Sequence, residues 1–344
     1  MQEEFRKVKE AYLYQKKEEN KVRCLLCNHQ CLIKHGERGL CHVRENRSGV
    51  LMSLVYGKII AGHADPIEKK PLFHFLPGSL SYSIATAGCN FRCAFCQNAD
   101  ISQMPVDSNR IAGRDSSPLE ILKEAMDSHA SSISYTYTEP TIYFETALDT
   151  ARLATQKGLK NVFVTNGYMT KRCLQEIDPH LHAANVDLKA FSDRFYRDLC
   201  GAKLNPVLRT METMKEMGIW LEVTTLLIPG LNDSEEELKG LARFLAELDS
   251  VIPWHISRFH PTYRLNHVPS TPVESVRRAR DIGFEAGLEY VYTGNVPGEK
   301  GENTFCSSCR ESVIERIGFR VVGNRLKNGK CPSCGADIPG VWST

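Results

Sequence analysis

The sequence predicts an α/β fold: a partial TIM-type, (β/α)6-like barrel with a small cysteine-rich metal module at each end. Three features predict it. Strand-like and helical segments alternate in the middle of the chain, a three-cysteine loop follows the first strand, and cysteines cluster near both ends. Repeated β–α units imply parallel strands. The expected divisions are an N-terminal module (1–55), a connecting segment (56–80), the barrel (81–295) and a C-terminal module (296–344).

The composition limits the classes of partner. The chain has 344 residues, with 43 Lys and Arg against 41 Asp and Glu. That length suits one barrel-sized domain with small modules. The balanced charge counts against a nucleic-acid partner, because phosphate binding needs clustered basic residues. No apolar stretch is long enough to span a membrane, and residues 1–7 are charged without an apolar run behind them, so we expect a cytoplasmic protein.

Thirteen cysteines are the next constraint. In a protein without an export signal, clustered cysteines are more often metal ligands than disulfides. Eleven of the 13 fall into three groups, and the other two, Cys173 and Cys200, are interpreted as ordinary core or half-buried thiols.

The central group is Cys89, Cys93 and Cys96, with the spacing C-x3-C-x2-C. Four-iron clusters ordinarily take four thiolates, so three would leave one iron open to a ligand. A zinc knuckle or a set of buried thiols is the alternative. The position favours the cluster, because a strand-like segment at 80–86 precedes the loop and Gly88 opens it. Barrel enzymes place their chemistry in such loops.

The N-terminal group is Cys24, Cys27, Cys31 and Cys41. Four thiols at these spacings can close a tetrahedral site, for which zinc is the default metal. An iron–sulfur cluster and a set of buried thiols are the alternatives. One thiol could be replaced as a ligand by a neighbouring histidine: His29, His35 or His42. We expect this module to be structural or to dock a partner.

The C-terminal group is a pair of C-x2-C knuckles, Cys306 with Cys309 and Cys331 with Cys334, with 21 residues between the pairs. This spacing resembles that of a zinc ribbon, and rubredoxin-like iron is the alternative. Together with the N-terminal module, it predicts two structural zinc ions.

The remaining strands, helices and loops are predicted from strand propensity and from the residues that bound each segment. The segment 65–78 is rich in proline, charge and aromatics, which indicates an ordered loop. It could wrap the surface or cap the barrel with Lys69, Lys70 or His74 facing substrate. Pro140, Pro206 and Ser234 suit helix starts. Further strands are predicted at 133–138, 161–165, 185–189, 220–228 and 254–259, with a candidate seventh at 290–293.

These motifs resemble the radical S-adenosylmethionine (SAM) superfamily, in particular pyruvate formate-lyase activating enzymes and, more closely, the AmmeMemoRadiSam group. The resemblance rests on both cysteine modules and on the segments 65–75, 88–91 and 135–140. It implies that the open iron of a [4Fe-4S] cluster chelates SAM. It also implies that an electron from the cluster cleaves SAM to a 5′-deoxyadenosyl radical, which abstracts hydrogen from a substrate.

The resemblance also implies SAM-contact residues. Glu139 matches the acid of the family's Gly-Gly-Glu-Pro motif, which holds the SAM amino group, although Tyr137 and Thr138 replace the two glycines. The other matched positions are Phe95 near the adenine, Asn166 near the ribose, Asp187 and Lys189 on the fourth strand, and His260 after the sixth. An acid and a base on one inward face must bind ligand or pair with each other.

The implied partners are SAM, a flavodoxin- or ferredoxin-like electron donor, and a substrate. The substrate could be a glycyl-radical protein, another protein of the Memo type, or a small molecule. No ferredoxin-like cysteine run follows Cys96, unlike in many glycyl-radical activases. Two other functions stay open: a radical SAM enzyme that modifies RNA, and a non-catalytic metal-binding or electron-transfer scaffold.

Overall fold

The computed structural model describes residues 8–296, 298 and 300–343. The charged residues 1–7, on which the expectation of no export signal depends, lie outside them. The N-terminal module is built from short antiparallel strands, β1–β6–β5 in one sheet and β2–β3–β4 in another. Their bounds, with that of β7, are β1 (Lys9–Glu10), β2 (Tyr14–Lys16), β3 (Val22–Cys24), β4 (Leu32–Ile33), β5 (Arg44–Arg47), β6 (Val50–Ser53) and β7 (Lys58–Ile59).

The barrel contains an eight-stranded sheet with the order β16–β15–β14–β13–β12–β11–β9–β8. The seven strands from β9 to β16 in this sheet run parallel, while β8 pairs antiparallel with β9 and β10 pairs outside the sheet with β7. The bounds are β8 (Ala61–Pro66), β9 (Leu80–Ala85), β10 (Arg114–Asp115), β11 (Ser132–Tyr135), β12 (Lys160–Thr165), β13 (Ala183–Asp187), β14 (Trp220–Leu227), β15 (Trp254–Arg258) and β16 (Val291–Gly294).

The parallel run confirms the predicted α/β fold, and the candidate seventh strand is β16. One strand of this sheet was not predicted from the sequence. It is β8, which begins within the connecting segment and ends at Pro66. Pro66 and Asp65 indicate a loop, but an edge strand tolerates proline because one side of its backbone needs no ladder hydrogen bond. The second predicted strand, 133–138, ends early at Tyr135.

Helices connect the parallel strands, and serine side chains cap the N-termini of two of them. Ser117 accepts from the Glu120 N–H in a capping box, and Ser234 accepts from the Glu237 N–H. None of the described helices has the length and apolar character needed to cross a membrane. The bounds are α1 (Ala99–Ser102), α2 (Met104–Asp107), α3 (Pro118–Asp127), α4 (Phe144–Gln156), α5 (Lys171–Ile177), α6 (Asp193–Phe195), α7 (Leu204–Glu216), α8 (Glu235–Asp249) and α9 (Val273–Glu285).

The N-terminal module shares one hydrophobic core with the barrel; Val22 and Val43 belong to the same buried cluster as Ile84 and Phe163. A buried ion pair reinforces this contact. The Arg44 guanidinium donates to the Glu145 carboxylate of α4 at 2.8 and 3.3 Å, and these side chains are 2% and 0% exposed. The Tyr12 N–H also donates to Glu145, at 2.7 Å.

A second buried carboxylate, Glu222 on β14, holds the connecting segment against the barrel. It accepts hydrogen bonds from the Phe73 N–H (2.9 Å), the His74 N–H (2.8 Å) and Trp220 Nε1 (3.0 Å). His255 Nε2 on β15 lies 2.7 Å from it. Burial raises the pKa of Glu222, but the contacts with His255 and His74 outweigh burial and hold it below its usual range.

The C-terminal module covers this segment from outside. Its strands are β17 (Thr304–Phe305), β18 (Ser312–Ile317) and β19 (Arg320–Asn324). Arg316 donates to the Phe73 carbonyl at 2.8 Å and lies 3.6 Å from the buried Glu68 carboxylate. The backbone of Val341 exchanges hydrogen bonds with His74 and Leu76.

The contacts of Phe73 and His74 explain how the barrel is closed. The segment that carries them follows edge strand β8, and both rings pack against Tyr292 of the opposite edge strand, β16. The connecting segment therefore bridges the gap between the two edges of the sheet, and the C-terminal module holds it there.

We expect Arg44→Met to lower the free energy of unfolding by about 3–5 kcal/mol, because it leaves the buried Glu145 carboxylate without its partner. The Arg44→Met/Glu145→Leu double variant should recover most of that loss, since an apolar pair replaces the ion pair. Urea denaturation of the intact chain measures both. A single variant within about 1 kcal/mol of the wild type would contradict the importance of this pair.

Candidate active site

A cavity of about 370 Å³ opens at the carboxyl ends of the parallel strands, the end where barrel enzymes carry their chemistry. Eight of the nine central residues predicted from the sequence line it. They are Cys89, Phe95, Cys93 and Cys96 from the loop after β9, Glu139 after β11, Asn166 after β12, and Asp187 and Lys189 at the end of β13. The structure therefore brings together residues that are spread over 100 positions of sequence.

The three-cysteine loop is held by its backbone. The Arg92 N–H donates to the Cys200 carbonyl and the Ala94 N–H to the Leu199 carbonyl, both at 2.9 Å. Gly88 is required at the start of the loop: its φ is +107°, and a Cβ there would lie 2.8 Å from Val43 Cγ1. The N-terminal module thus packs directly on this loop.

The three thiols of the loop line the same cavity. Cys93 is buried, and Cys89 and Cys96 are half-buried. Three thiolates on one loop fit a [4Fe-4S] cluster with one iron not ligated by the protein.

Cys200 is a neighbour that the sequence did not indicate. It ends a π-helical turn, Tyr196–Cys200, and is buried against the cluster loop. Its hydrogen bond to Cys93 lowers the pKa of the Cys93 thiol. Burial raises the pKa of the Cys89 thiol.

Glu139 is a fully buried carboxylate in the cavity wall. Its Oε1 accepts from the Thr141 N–H (3.0 Å) and from the Thr165 hydroxyl (2.8 Å), and its Oε2 accepts from the Asn166 N–H (2.8 Å). Burial raises the pKa of Glu139. A buried carboxylate on a cavity wall can bind a cationic ligand group, because the pair offsets the cost of burial.

Tyr137 shows why glycine suits this turn. Its φ is +61°, the left-handed region that glycine adopts without steric cost. Two hydrogen bonds hold Tyr137 in this conformation. Asn98 Nδ2 donates to the Tyr137 carbonyl at 2.7 Å, and the Tyr137 hydroxyl donates to Asp65. Glu139 lies in the cavity wall even though Tyr137 and Thr138 replace the family's two glycines.

The remaining predicted residues have different surroundings. Asp187 and Lys189 form an ion pair of 3.0 Å within the cavity wall. Asn166 Nδ2 donates to Asn90 Oδ1 at 2.7 Å, next to the cluster loop. His260, in contrast, is exposed, lies 3.1 Å from Ser270 Oγ and does not line the cavity.

The position of His260 follows from its neighbour. Strand β15 ends at Arg258, and Phe259 turns into the core, where its N–H donates to Thr271 Oγ1 at 3.0 Å. The next residue is then directed to the surface. Among the predicted SAM-contact residues, His260 is the one that does not line the cavity, and its contact with SAM stays a prediction.

Comparison with known proteins agrees with this geometry. The sequence model of the Radical SAM superfamily matches residues 83–245, which include the cluster loop, Glu139 and the Asp187–Lys189 pair. The chain belongs to the radical SAM superfamily. An uncharacterized protein of Methanocaldococcus jannaschii is 46% identical over 96% of this chain and 99% of its own length.

Relatives of lower sequence identity are named for an activity. The pyruvate formate-lyase-activating enzyme of Clostridium pasteurianum is 22% identical, over 52% of this chain and 77% of its own length. The crystal structure of a radical SAM methyltransferase from Sphaerobacter thermophilus is 17% identical, with a TM-score of 0.49, and covers 62% of this chain and 66% of its own length. This radical SAM protein is therefore related to the activating enzymes, and its place in the AmmeMemoRadiSam group stays a prediction.

The radical SAM cavity has a second polar group beside Glu139 that the sequence only partly indicated. Lys70 is 1% exposed, lines the cavity and lies 2.8 Å from Asp65 Oδ2. Burial lowers the pKa of Lys70 to about 8. Burial also raises the pKa of Asp65, but hydrogen bonds from Lys69, Lys70 and Tyr137 outweigh it and hold that pKa well below its usual range.

His74, proposed with Lys69 and Lys70 as a cap residue, lies elsewhere. Its Nε2 is 2.6 Å from the Tyr292 hydroxyl and its Nδ1 is 2.6 Å from the Pro339 carbonyl. Burial lowers the pKa of His74 to about 4. It fastens the connecting segment to the C-terminal module instead of facing the cavity.

The C-terminal cysteines form a compact site. All four sulfurs lie within 4.8 Å of one another, with Cys306 and Cys334 at 3.7 Å and Cys309 and Cys331 at 3.6 Å. Zinc–thiolate bonds of about 2.3 Å place tetrahedral sulfurs about 3.8 Å apart. The site therefore fits a single tetrahedral ion.

Lys70 should make stability depend on pH. Its folded pKa of about 8 lies below the unfolded value of 10.5, so the unfolded chain binds more protons between these values and the unfolding free energy gains with rising pH. We expect the stability of the wild type relative to Lys70→Met to increase from pH 8 to pH 10, measured by urea denaturation. Lys69→Met, which removes the second lysine on Asp65, is the matched control. Parallel pH curves for wild type and Lys70→Met would contradict the shift.

Proposed function

We propose that this protein cleaves SAM reductively in the described cavity and that the resulting 5′-deoxyadenosyl radical abstracts hydrogen from a second molecule. The observation that carries the proposal is the shared cavity of the three cluster thiols and the buried carboxylate of Glu139. When bound to Cys89, Cys93 and Cys96, a [4Fe-4S] cluster supplies the electron for this cleavage. The protein's own residues bind, orient and shield.

Glu139 would hold the SAM amino group. Its Oε2 accepts one hydrogen bond, from the Asn166 N–H, and so retains acceptor capacity toward the cavity. Phe95, 4% exposed, would provide an apolar surface for the adenine, and Asn166 a polar group for the ribose. The Asp187–Lys189 pair would remain a paired wall group.

The substrate would be a small molecule. The bridge between β8 and β16 closes the side of the barrel, and the C-terminal module adds Glu302 and Phe319 to the cavity wall. A protein loop could not insert through that side without displacing the buried Arg316–Glu68 pair. An activase role on a glycyl-radical protein is the second candidate, favoured by the names of the 22–23% identical relatives.

The remaining cofactors and partners complete the proposal. The C-terminal cysteines would bind a structural zinc ion, as their spacing allows. A flavodoxin- or ferredoxin-like protein of the cytoplasm would supply the electron. The open iron would make the enzyme sensitive to oxygen and suited to anaerobic conditions.

Cys96→Ala tests the proposed function. We expect it to abolish formation of 5′-deoxyadenosine from SAM under anaerobic conditions with dithionite, while the zinc content stays at the wild-type value. Cys173→Ala, a buried cysteine of α5 that does not line the cavity, is the control and should retain cleavage. Cleavage that persists in Cys96→Ala would refute the assignment of the cluster.

Glu139→Gln tests the binding role. The substitution keeps the shape and the acceptor oxygen but removes the charge, and charged hydrogen bonds contribute about 1.5–3 kcal/mol. We expect the dissociation constant for SAM to rise by about tenfold or more, with the iron content unchanged. Anaerobic equilibrium dialysis measures it, and Glu302→Gln on the far wall is the control. Equal affinity in wild type and Glu139→Gln would exclude this role.

A further inference from the structure

The outer side of the three-cysteine loop carries a cation without a partner. Arg92 lies between Cys89 and Cys93 in the chain and is exposed. Its Cβ lies 3.9 Å from the position that a Cβ on Gly201 would take. Among the residues that the structure describes, none forms an ion pair or a hydrogen bond with its guanidinium. A planar, permanently charged group in this position is suited to bind a carboxylate from outside the chain.

A second cation of this kind lies beside Arg92. Lys203 is exposed, follows Gly201 by two residues and forms no ion pair with the described part of the chain. The acids of the preceding helical turns do not neutralise it, because they already have partners of their own: Asp193 pairs with Arg197 and Asp198 with Arg194.

The N-terminal module adds positive charge next to the loop. Arg38 and Arg47 share one carboxylate, that of Glu45, at 3.0 and 2.8 Å, which leaves one positive charge in excess. Burial lowers the pKa of His42, and so do the charges of Arg92 and Arg38, which lie near its ring. The cations of the module and of the loop therefore belong to one surface.

An exposed apolar side chain accompanies these charges. Leu40, 46% exposed, is two residues from both Arg38 and His42. Protein interfaces combine such an apolar contact with charges that steer the partner. We call this set of residues the basic surface; it consists of Arg38, Leu40, His42, Arg92 and Lys203.

The N-terminal cysteines favour direct entry of an electron at the three-cysteine loop. All four line one small space of about 20 Å³, the size of a single ion. Zinc, which has no redox chemistry, stays the predicted metal for this space. With zinc bound there, the module provides no relay, and an electron donor has to approach the loop itself. The four cysteines are Cys24, Cys27, Cys31 and Cys41.

We propose that the basic surface docks the electron donor, a small acidic redox protein of the flavodoxin or ferredoxin type. Arg92 and Cys93 are neighbours with Cα atoms about 3.8 Å apart, so a partner seated on Arg92 lies one residue from a cluster ligand. Carboxylates of the partner would pair with Arg92 and Lys203. Redox partners commonly meet through small interfaces, below about 1,200 Å², which a surface of this extent can supply.

The electron balance involves one electron. The reduced donor loses it, the cluster bound to the loop gains it, and no bond forms or breaks in the complex. The purpose of this transfer rests on the proposed function, whereas docking of the acidic protein does not.

Charge reversal tests the basic surface. In Arg92→Glu/Lys203→Glu we expect the KM for an acidic flavodoxin in SAM cleavage to rise by about tenfold, because attraction becomes repulsion. Lys203→Glu alone should raise it less and should retain cleavage driven by dithionite, a small reductant. Lys157→Glu is the control, an exposed lysine after α4 near the amino ends of the strands. A wild-type KM in both variants, as expected if the surface served another polyanion such as RNA, would overturn the proposal.

A binding measurement separates docking from SAM cleavage. Isothermal titration calorimetry with the same flavodoxin should give a Kd that rises with ionic strength for the wild type and a weaker complex for the double variant. Iron content checks that Arg92→Glu leaves the cluster in place; if iron is lost, Lys203→Glu alone decides. No binding by the wild type, or equal binding by wild type and variants at low salt, would overturn docking. Failure of the wild type to cleave SAM with dithionite would instead refute the proposed function.

Discussion

The buried carboxylate of Glu222 is the contact on which the closure of the barrel depends. It fixes the backbone of Phe73 and His74, and through them the whole segment between β8 and β9, against β14 and β15. Four donors compensate the burial of its charge, as a fully desolvated carboxylate requires. With the segment fixed, Phe73 and His74 can reach the opposite edge strand, and the C-terminal module has a surface to cover. The catalytic cavity thereby gains its side wall.

The side of the cavity formed by the cluster loop is held by close packing and backbone hydrogen bonds rather than by a buried charge. The N-terminal module packs against the cluster loop so closely that only glycine fits at position 88. The loop is also held from the π-helical turn that ends at Cys200. Two segments distant in sequence thus define the course of three cysteines. This arrangement suits a metal site whose ligands must be positioned before the metal binds.

Most strands and the cysteine sets could be predicted from the sequence because both signals are local: β-branched runs bounded by Gly or Pro, and fixed ligand spacings. Strand β8 was missed because Asp65 and Pro66 have low strand propensity and only its pairing with β9 makes it a strand. Glu222 and His255 have no local signal, since their importance arises from partners far along the chain. His260 does not line the cavity, because the chain enters the core at Phe259 and the next residue is exposed.

The contacts that hold the connecting segment from outside have a consequence for the order in which the chain folds during synthesis. The residues that hold it from outside, Arg316 and Val341, follow the whole barrel in the chain. Domains generally fold from the N-terminus as they are synthesised. The side of the barrel therefore remains unsealed until the last segment leaves the ribosome. During that interval the cavity lined by the three-cysteine loop has an open side, which the C-terminal module closes when it folds.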